Sequence, residues 1–441
     1  MAWSRRKEND EKVKEKISGG SRPKYVPIDN VPPEKIFDFV YLTDKDTIEY
    51  LNNHGRIAFV IRGFPGTRKE LLRDLLFDAY KDSVACCADD YFSLRLATER
   101  DVDTLRKSHD WCEERLEEYC RQNKPVVIVK NSHIRRWEME LYLKVLKRNC
   151  YTILMSETTR KFQVNTKILE KSNTKGLKRS YFEKRLRQWE DVVPWFTGWF
   201  LSPADGKWIF KKAQEILLTF SESKDFKEIY LNPENVVEKF SSEAVIFCIA
   251  AYCNAGRTIE GESFYLNEDI QDVYGKMFEL NITAFVLHEN TLTAAVRLTS
   301  EELQMSHYGS GRDGIPRTEE RSVPLEEAID NLSLINTYSR DQPVDATNSK
   351  ETFEILDEPG EHETEDYGFM LLGWEDQDRG HPLFTEFKDP RDLRAVMTAL
   401  SENKAEKSVT VDGMTAHKIE NSIVIEANRC FKCKSVFTGL Y

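Results

Sequence analysis

At 441 residues and 40% apolar content, the chain is long enough for two or three domains with ordinary buried cores. A mean hydropathy of −0.55, with no apolar run near the roughly 18 residues of a membrane span, argues against a transmembrane segment. The net charge of −12 is local: residues 309–380 hold 19 acidic and 6 basic side chains, leaving the rest at about +1.

The start, Met1-Ala2-Trp3-Ser4-Arg5-Arg6-Lys7, has no apolar stretch behind its charges, so no secretory signal is expected. Residues 1–30 read as a disordered basic tail; the first 24 carry 8 basic against 4 acidic groups. The end, Thr438-Gly439-Leu440-Tyr441, offers no cysteine for a prenyl anchor. Nine scattered cysteines, an odd count, fit reduced thiols and a cytoplasmic location better than a disulfide framework.

In chain order, Ile57–Arg62 is a short apolar strand that stops at Gly63-Phe64-Pro65-Gly66. Leu71, Leu72, Leu75, Leu76, Ala79 and Tyr80 follow at helical spacing. Val126–Val129 and Tyr151–Met155 read as further buried strands, with helices expected over Asp101–Arg121 and Arg136–Lys147. Alternating strands and helices predict a parallel α/β sheet. Lys167–Gln188 is strongly basic, with eight Lys or Arg against two Glu. An amphipathic helix is expected over Lys207–Ser221, leading out of this first domain. From Ala244 the pattern turns strand-like: Ala244–Tyr252, then a hairpin of Ile282–Leu287 and Leu292–Leu298. Residues 309–380 read as an acidic disordered insert, a candidate protein-partner segment, in which Tyr367–Trp374 is an apolar island that either orders on a partner or docks onto the second domain. A helix over Pro390–Ser401 and strands near Ser408–Val411 and Ser422–Glu426 close the chain.

Gly63-Phe64-Pro65-Gly66-Thr67-Arg68-Lys69-Glu70 occupies the strand-to-helix turn where a Walker A P-loop, G-x-x-x-x-G-K-[S/T], belongs. Such loops curl backbone N–H groups round phosphates, neutralise them with the lysine and hold Mg²⁺ through the hydroxyl. Gly63, Gly66, Thr67, Arg68 and Lys69 are the phosphate-binding candidates, for ATP or GTP. Arg68 replaces the last glycine and Glu70 the hydroxyl, so Mg²⁺ binding is expected to be weak or absent.

Beyond the loop, Ala88-Asp89-Asp90-Tyr91-Phe92 follows the next strand as in polynucleotide kinases, which resemblance makes Asp89 the group that would activate an accepting hydroxyl. After the third strand, Lys130-Asn131-Ser132-His133 stands where those kinases carry an acidic residue. The stretch around Lys175, Lys178 and Arg179 resembles their lid and supplies RNA-binding candidates.

Several stretches in order resemble the 2′,3′-cyclic nucleotide 3′-phosphodiesterase family: Phe39–Thr47, Trp195–Leu201 closing the first domain, Phe278–Val286, Leu298–Gln304 and Ser435–Tyr441. The resemblance implies a P-loop kinase-like α/β domain over 31–225. It further implies an α+β 2H phosphoesterase-like domain over 235–441, interrupted by the insert. A 2H site uses two H-x-[S/T] motifs on neighbouring strands. One His is general base, the other general acid, and the hydroxyls hold the phosphoryl oxygens. Here the first motif aligns with Phe247-Cys248-Ile249 and the second with His381-Pro382-Leu383. Phe247, Ile249 and Leu383 are then degenerate positions, and His381 is the one surviving candidate catalyst. A binding protein that holds RNA ends, nucleotide or a protein partner is expected; the alternatives are an RNA 5′-kinase or cyclic phosphodiesterase using displaced residues, or an adaptor acting through the insert. Cys430-Phe431-Lys432-Cys433 lacks further ligands for zinc, so no metal site is expected.

Overall fold

The computed structural model describes residues 37–97, 99–159, 166–230, 236–306, 353–354, 367–375, 381–385, 387 and 390–441. The basic tail, and the acidic segment apart from 353–354 and 367–375, lie outside the described residues.

Four strands, β1 (Ile57–Arg62), β2 (Val84–Cys86), β3 (Val126–Lys130) and β4 (Thr152–Glu157), form a parallel sheet in the order β2-β3-β1-β4. β1 is central, pairing Ile57 with Val126 on one side and Thr152 on the other. All six of its residues are buried, which is why it reads as a continuous apolar run rather than an alternation. Helix Lys69–Ala79 packs on the sheet through Leu72 and Leu76. Helix Val102–Arg121 starts where the Asp101 carboxylate accepts from the Thr104 N–H at 2.8 Å.

The second unit is antiparallel. It comprises β5 (Phe196–Leu201), the two-residue β6 (Ser241–Ser242), β7 (Phe247–Tyr252), β8 (Met277–His288), β9 (Thr291–Arg297), the two-residue β10 (Phe353–Glu354), β11 (Tyr367–Trp374), β12 (Lys407–Val411), β13 (Met414–Ile419) and β14 (Ser422–Leu440). Their order is β12-β13-β14-β5-β7-β11-β9-β8, and β8 also pairs with β14, so six strands close into a barrel-like ring without free edges. The expected hairpin is β8–β9, with a tight turn between His288 and Thr291.

Two expectations are corrected here. Trp195–Leu201 does not close the first sheet, because β5 pairs with β14 and β7 in the second. Its six residues are buried on both faces, and Trp199 packs on Phe437 of the neighbouring β14 with ring centroids 5.4 Å apart. Tyr367–Trp374 is no part of a disordered stretch but strand β11 of the ring. Its run Phe369-Met370-Leu371-Leu372 is buried, and that apolar surface offsets the cost of ordering it.

The two units meet through buried hydroxyls. Thr438 donates to the Ile153 carbonyl at 2.6 Å, and the Tyr274 hydroxyl accepts from the Met155 N–H at 3.3 Å. Among the described residues, no helix is long and apolar enough to cross a membrane.

Candidate functional site

β1 ends in Arg62, whose side chain is fully buried. Its guanidinium donates to the carbonyls of His133, Ile134 and Glu190 at 3.1, 3.2 and 2.7 Å, and lies 3.6 Å from Glu157. It fixes the chain on either side of the turn that follows. Gly63 enters that turn at φ +152°, where a Cβ would meet the Thr158 hydroxyl at 2.0 Å. Gly66, at φ +93°, lies so close beneath Ser172 that a Cβ would meet its Oγ at 2.6 Å. Thr67 Oγ1 donates to the Phe64 carbonyl at 2.8 Å and sits 2.7 Å from Thr158 Oγ1.

Arg68 holds the left-handed conformation, φ +63°, at the last-glycine position. A residue with a Cβ pays about 1–2 kcal/mol for that. Lys69 is buried and its ammonium donates to the Gly63 and Phe64 carbonyls at 2.8 and 2.9 Å. Burial brings its pKa down to about 8. Glu70 faces Lys130, Nζ to Oε1 3.0 Å. Burial works to raise the Glu70 carboxyl, but Lys130 and Lys69 together bring it to about 2.

Asp89 lies beside this loop and is held by two cations, Arg100 at 3.0 Å and Lys175 at 2.5 Å. Burial opposes its ionisation, and Lys175 with Arg100 reverses that, leaving the carboxyl near 2. A carboxylate so engaged is a poor proton acceptor. Lys175 thereby ties the basic stretch to the strand-end aspartate. The same stretch is anchored to the loop where Ser172 Oγ donates to the Gly66 carbonyl at 3.2 Å, and where Leu169 and Phe182 cluster with Phe64 and Ile134. Lys178 and Arg179 stand exposed at the start of helix Arg179–Leu186, with Arg179 on Glu183 at 2.8 Å. All three RNA-binding candidates are exposed, but Lys175 is paired with Asp89 and Arg179 with Glu183.

In the barrel, Phe247-Cys248-Ile249 begins β7, and its neighbour is β11, with Met370 opposite Cys248. In antiparallel register Phe247 then falls beside Leu371 and Ile249 beside Phe369, the four sharing one face. They are 2–4% exposed. Phe247 stacks on Phe200 with centroids 4.4 Å apart and planes 2° from parallel. No titratable group and no hydroxyl stands among these four positions.

His381-Pro382-Leu383 is not on a strand, which corrects the expected second motif. Pro382 starts a short helix, Pro382–Thr385, since proline lacks the N–H a ladder needs. His381 is buried against Trp374, with Nε2 3.2 Å from Glu243 and Nδ1 accepting from the Leu383 N–H at 3.3 Å. Nδ1 is thus held in local structure while Nε2 faces the Glu243 carboxylate without a hydrogen bond, and Leu383 is not aligned with Ile249. Cys430 and Cys433 are buried thiols on β14, and no group of three or more His, Cys, Asp or Glu among the described residues could hold a metal.

Sequence reasoning missed three features. The pair Phe369 and Leu371 was hidden because strand β11 lies at the end of an acidic run. The Glu70–Lys130 pair joins residues 60 positions apart, although a gained carboxylate at one and a gained ammonium at the other were both readable. Arg62 read as a strand-end charge, with no signal that it is buried. A cleft of about 580 Å³ lined by Arg56, Arg148, Lys207, Gln214 and Ile246 touches neither the loop nor the apolar motif pair. Its arginines are engaged, Arg148 on Glu117 at 2.9 Å and Arg56 on the Asn149 carbonyl and Asn123, so it is not the expected groove between lid and barrel.

Comparison with known proteins gives a consistent answer. The 2′,3′-cyclic nucleotide 3′-phosphodiesterase family profile matches residues 193–323. The 2′,3′-cyclic-nucleotide 3′-phosphodiesterase of Mus musculus is 25% identical over 308 residues, covering 66% of this chain and 72% of that protein. Its counterpart in Rattus norvegicus is 24% identical over 279 residues, 60% of this chain and 66% of the relative. Human NEDD4-binding protein 2 is 25% identical over 139 residues, 32% of this chain but 8% of its own length. With a parallel α/β sheet ahead of a barrel that the family profile overlaps, the chain is a divergent member of the 2′,3′-cyclic nucleotide 3′-phosphodiesterase family.

Proposed function

We propose that this protein works by binding, not by cyclic-phosphate hydrolysis, and that its ligand is the phosphate end of an RNA or a nucleotide held at the loop Gly63–Lys69. We read the first unit as a P-loop polynucleotide-kinase-like domain and the second as a 2H phosphoesterase-like domain, with the boundary ahead of Trp195.

One observation carries the reading: the two neighbouring strands β7 and β11 present Phe247-Cys248-Ile249 and Phe369-Met370-Leu371 in register. A 2H mechanism needs a base, an acid and two phosphate-holding hydroxyls at such positions. Removing one positioned acid or base costs on the order of 10²–10⁴ in rate, and here all four groups are apolar. The loop keeps Gly63, Gly66, Thr67 and Lys69, and Asp89 is engaged by Lys175 and Arg100, which favours holding a phosphate over transferring one.

The test is a titration of the full chain with a short fluorescent RNA bearing a 5′-phosphate, at moderate salt, alongside ADP. Saturable, salt-sensitive binding that weakens in Lys69→Ala supports the proposal. Failure to retain either ligand overturns it.

A further inference from the structure

We infer that the loop takes its phosphate-bearing anion without a divalent cation, the Lys130 ammonium supplying the positive charge that a metal would bring. The inference rests on the proposed reading of the loop as a phosphate site and adds how that site is built.

The donor set does not fit Mg²⁺. That ion demands a near-octahedral shell of oxygens and keeps several waters. The two positions that would address it have both changed, and in opposite senses. Glu70 stands where a hydroxyl would ligate the ion, and Lys130, the last residue of β3 beside β1, stands where an acid would. The new groups are complementary to each other, Nζ to Oε1 3.0 Å, and not to a cation. A metal placed between them would meet an ammonium 5% exposed, with no water to screen the repulsion. The neighbouring Asp89 is already engaged by Arg100 and Lys175, so it is not a spare ligand.

The same arrangement suits an anion. Lys69 and Lys130 are both buried, and Lys69 hydrogen-bonds two neutral carbonyls, those of Gly63 and Phe64. Lys130 pairs directly with the Glu70 carboxylate, Lys69 adds its charge to the same site, and the Glu70 side chain is 55% exposed. A phosphate beside Lys69 would compete with the Glu70 carboxylate for Lys130, so the pair would open as the ligand takes the place of Glu70. Each cation would then form a charge-assisted hydrogen bond in a site that excludes water.

The experiment is a calorimetric titration of the full chain with ADP, once in excess Mg²⁺ and once in excess EDTA. The expected result is binding in EDTA within about threefold of that in Mg²⁺, or tighter. Affinity weaker by tenfold or more in EDTA overturns the metal-free inference while leaving the loop a phosphate site. No binding in either condition overturns both. Two variants sharpen the assignment, with folding checked by circular dichroism. In EDTA, Lys130→Gln should weaken ADP about tenfold or more, the worth of one charge-assisted hydrogen bond. Glu70→Gln, which keeps the shape and removes the competing charge, should tighten it several-fold. Should Lys130→Gln not fold, Glu70→Gln decides alone, and unchanged or weaker affinity contradicts the inference.

Discussion

The loop after β1 and the strand pair β7–β11 differ in what stands where catalytic groups would be. In the loop the replacements are charged and matched: Glu70 with Lys130, Asp89 with Lys175 and Arg100. In the strands they are apolar and packed: Phe247 on Phe200, with Ile249, Phe369 and Leu371 buried beside it. An ion pair can open when a ligand offers a better partner, whereas a filled core cannot return a base or a hydroxyl. On the proposed function, the loop is then the region that responds to a ligand, while the four strand positions are buried in the core.

The contrast is broken most sharply by stability. Phe247→Ala should cost about 3–5 kcal/mol in urea unfolding, as expected for a buried aromatic, whereas Glu70→Gln, which keeps an acceptor for the buried Lys130, should cost less, about 1–3 kcal/mol. A Phe247→Ala loss below about 1 kcal/mol would mean that these strands frame an open cleft instead of a core. Next in size, Lys69→Ala, with folding checked by circular dichroism, should weaken a 5′-phosphorylated RNA about tenfold or more, since it removes a charge-assisted contact. Equal affinity in wild type and variant would put the phosphate elsewhere.

A pH series sharpens the loop's half of the comparison. With the Lys69 pKa brought to about 8 by burial, from 10.5, the ammonium is lost as pH rises through 8. Anion affinity should fall between pH 7 and 9, and binding should take up protons near pH 8. The sign for stability is opposite: between 8 and 10.5 the unfolded chain binds more protons than the folded one, so the Lys69 contribution to stability rises with pH. Anisotropy titrations across that range, with Lys69→Ala as control, check the first statement. The smallest expected effect is Arg68→Gly, which relieves the left-handed strain at φ +63° and should add about 1 kcal/mol to thermal stability.

Much of this was legible in the sequence, for identifiable reasons. β1 and the helix after it follow from an apolar run, a glycine turn and a 3.6-residue period, and the loop between them keeps its glycines and lysine. The β8–β9 hairpin follows from two apolar runs around a polar turn. β11 was obscured because charge over a long window masks eight apolar residues inside it. That in turn misplaced the second motif onto His381, the nearest histidine, where Pro382 starts a helix. Trp195–Leu201 reads as the close of the first domain because a fully buried strand looks alike in parallel and antiparallel surroundings; its pairing with β14 and β7 places it in the antiparallel sheet. Paired substitutions such as Glu70 and Lys130 read singly as damage and become a compensated pair only when their distance is known.

The central claim, that the barrel carries no hydrolytic site, is tested most directly by following 2′,3′-cyclic AMP with the purified full chain by phosphorus NMR. The account expects the cyclic phosphate resonance to persist at the rate of buffer alone, with no 2′-phosphate resonance emerging. Steady, enzyme-proportional conversion to the 2′-phosphate, lost in a Phe369→Ala variant that still folds, would contradict it.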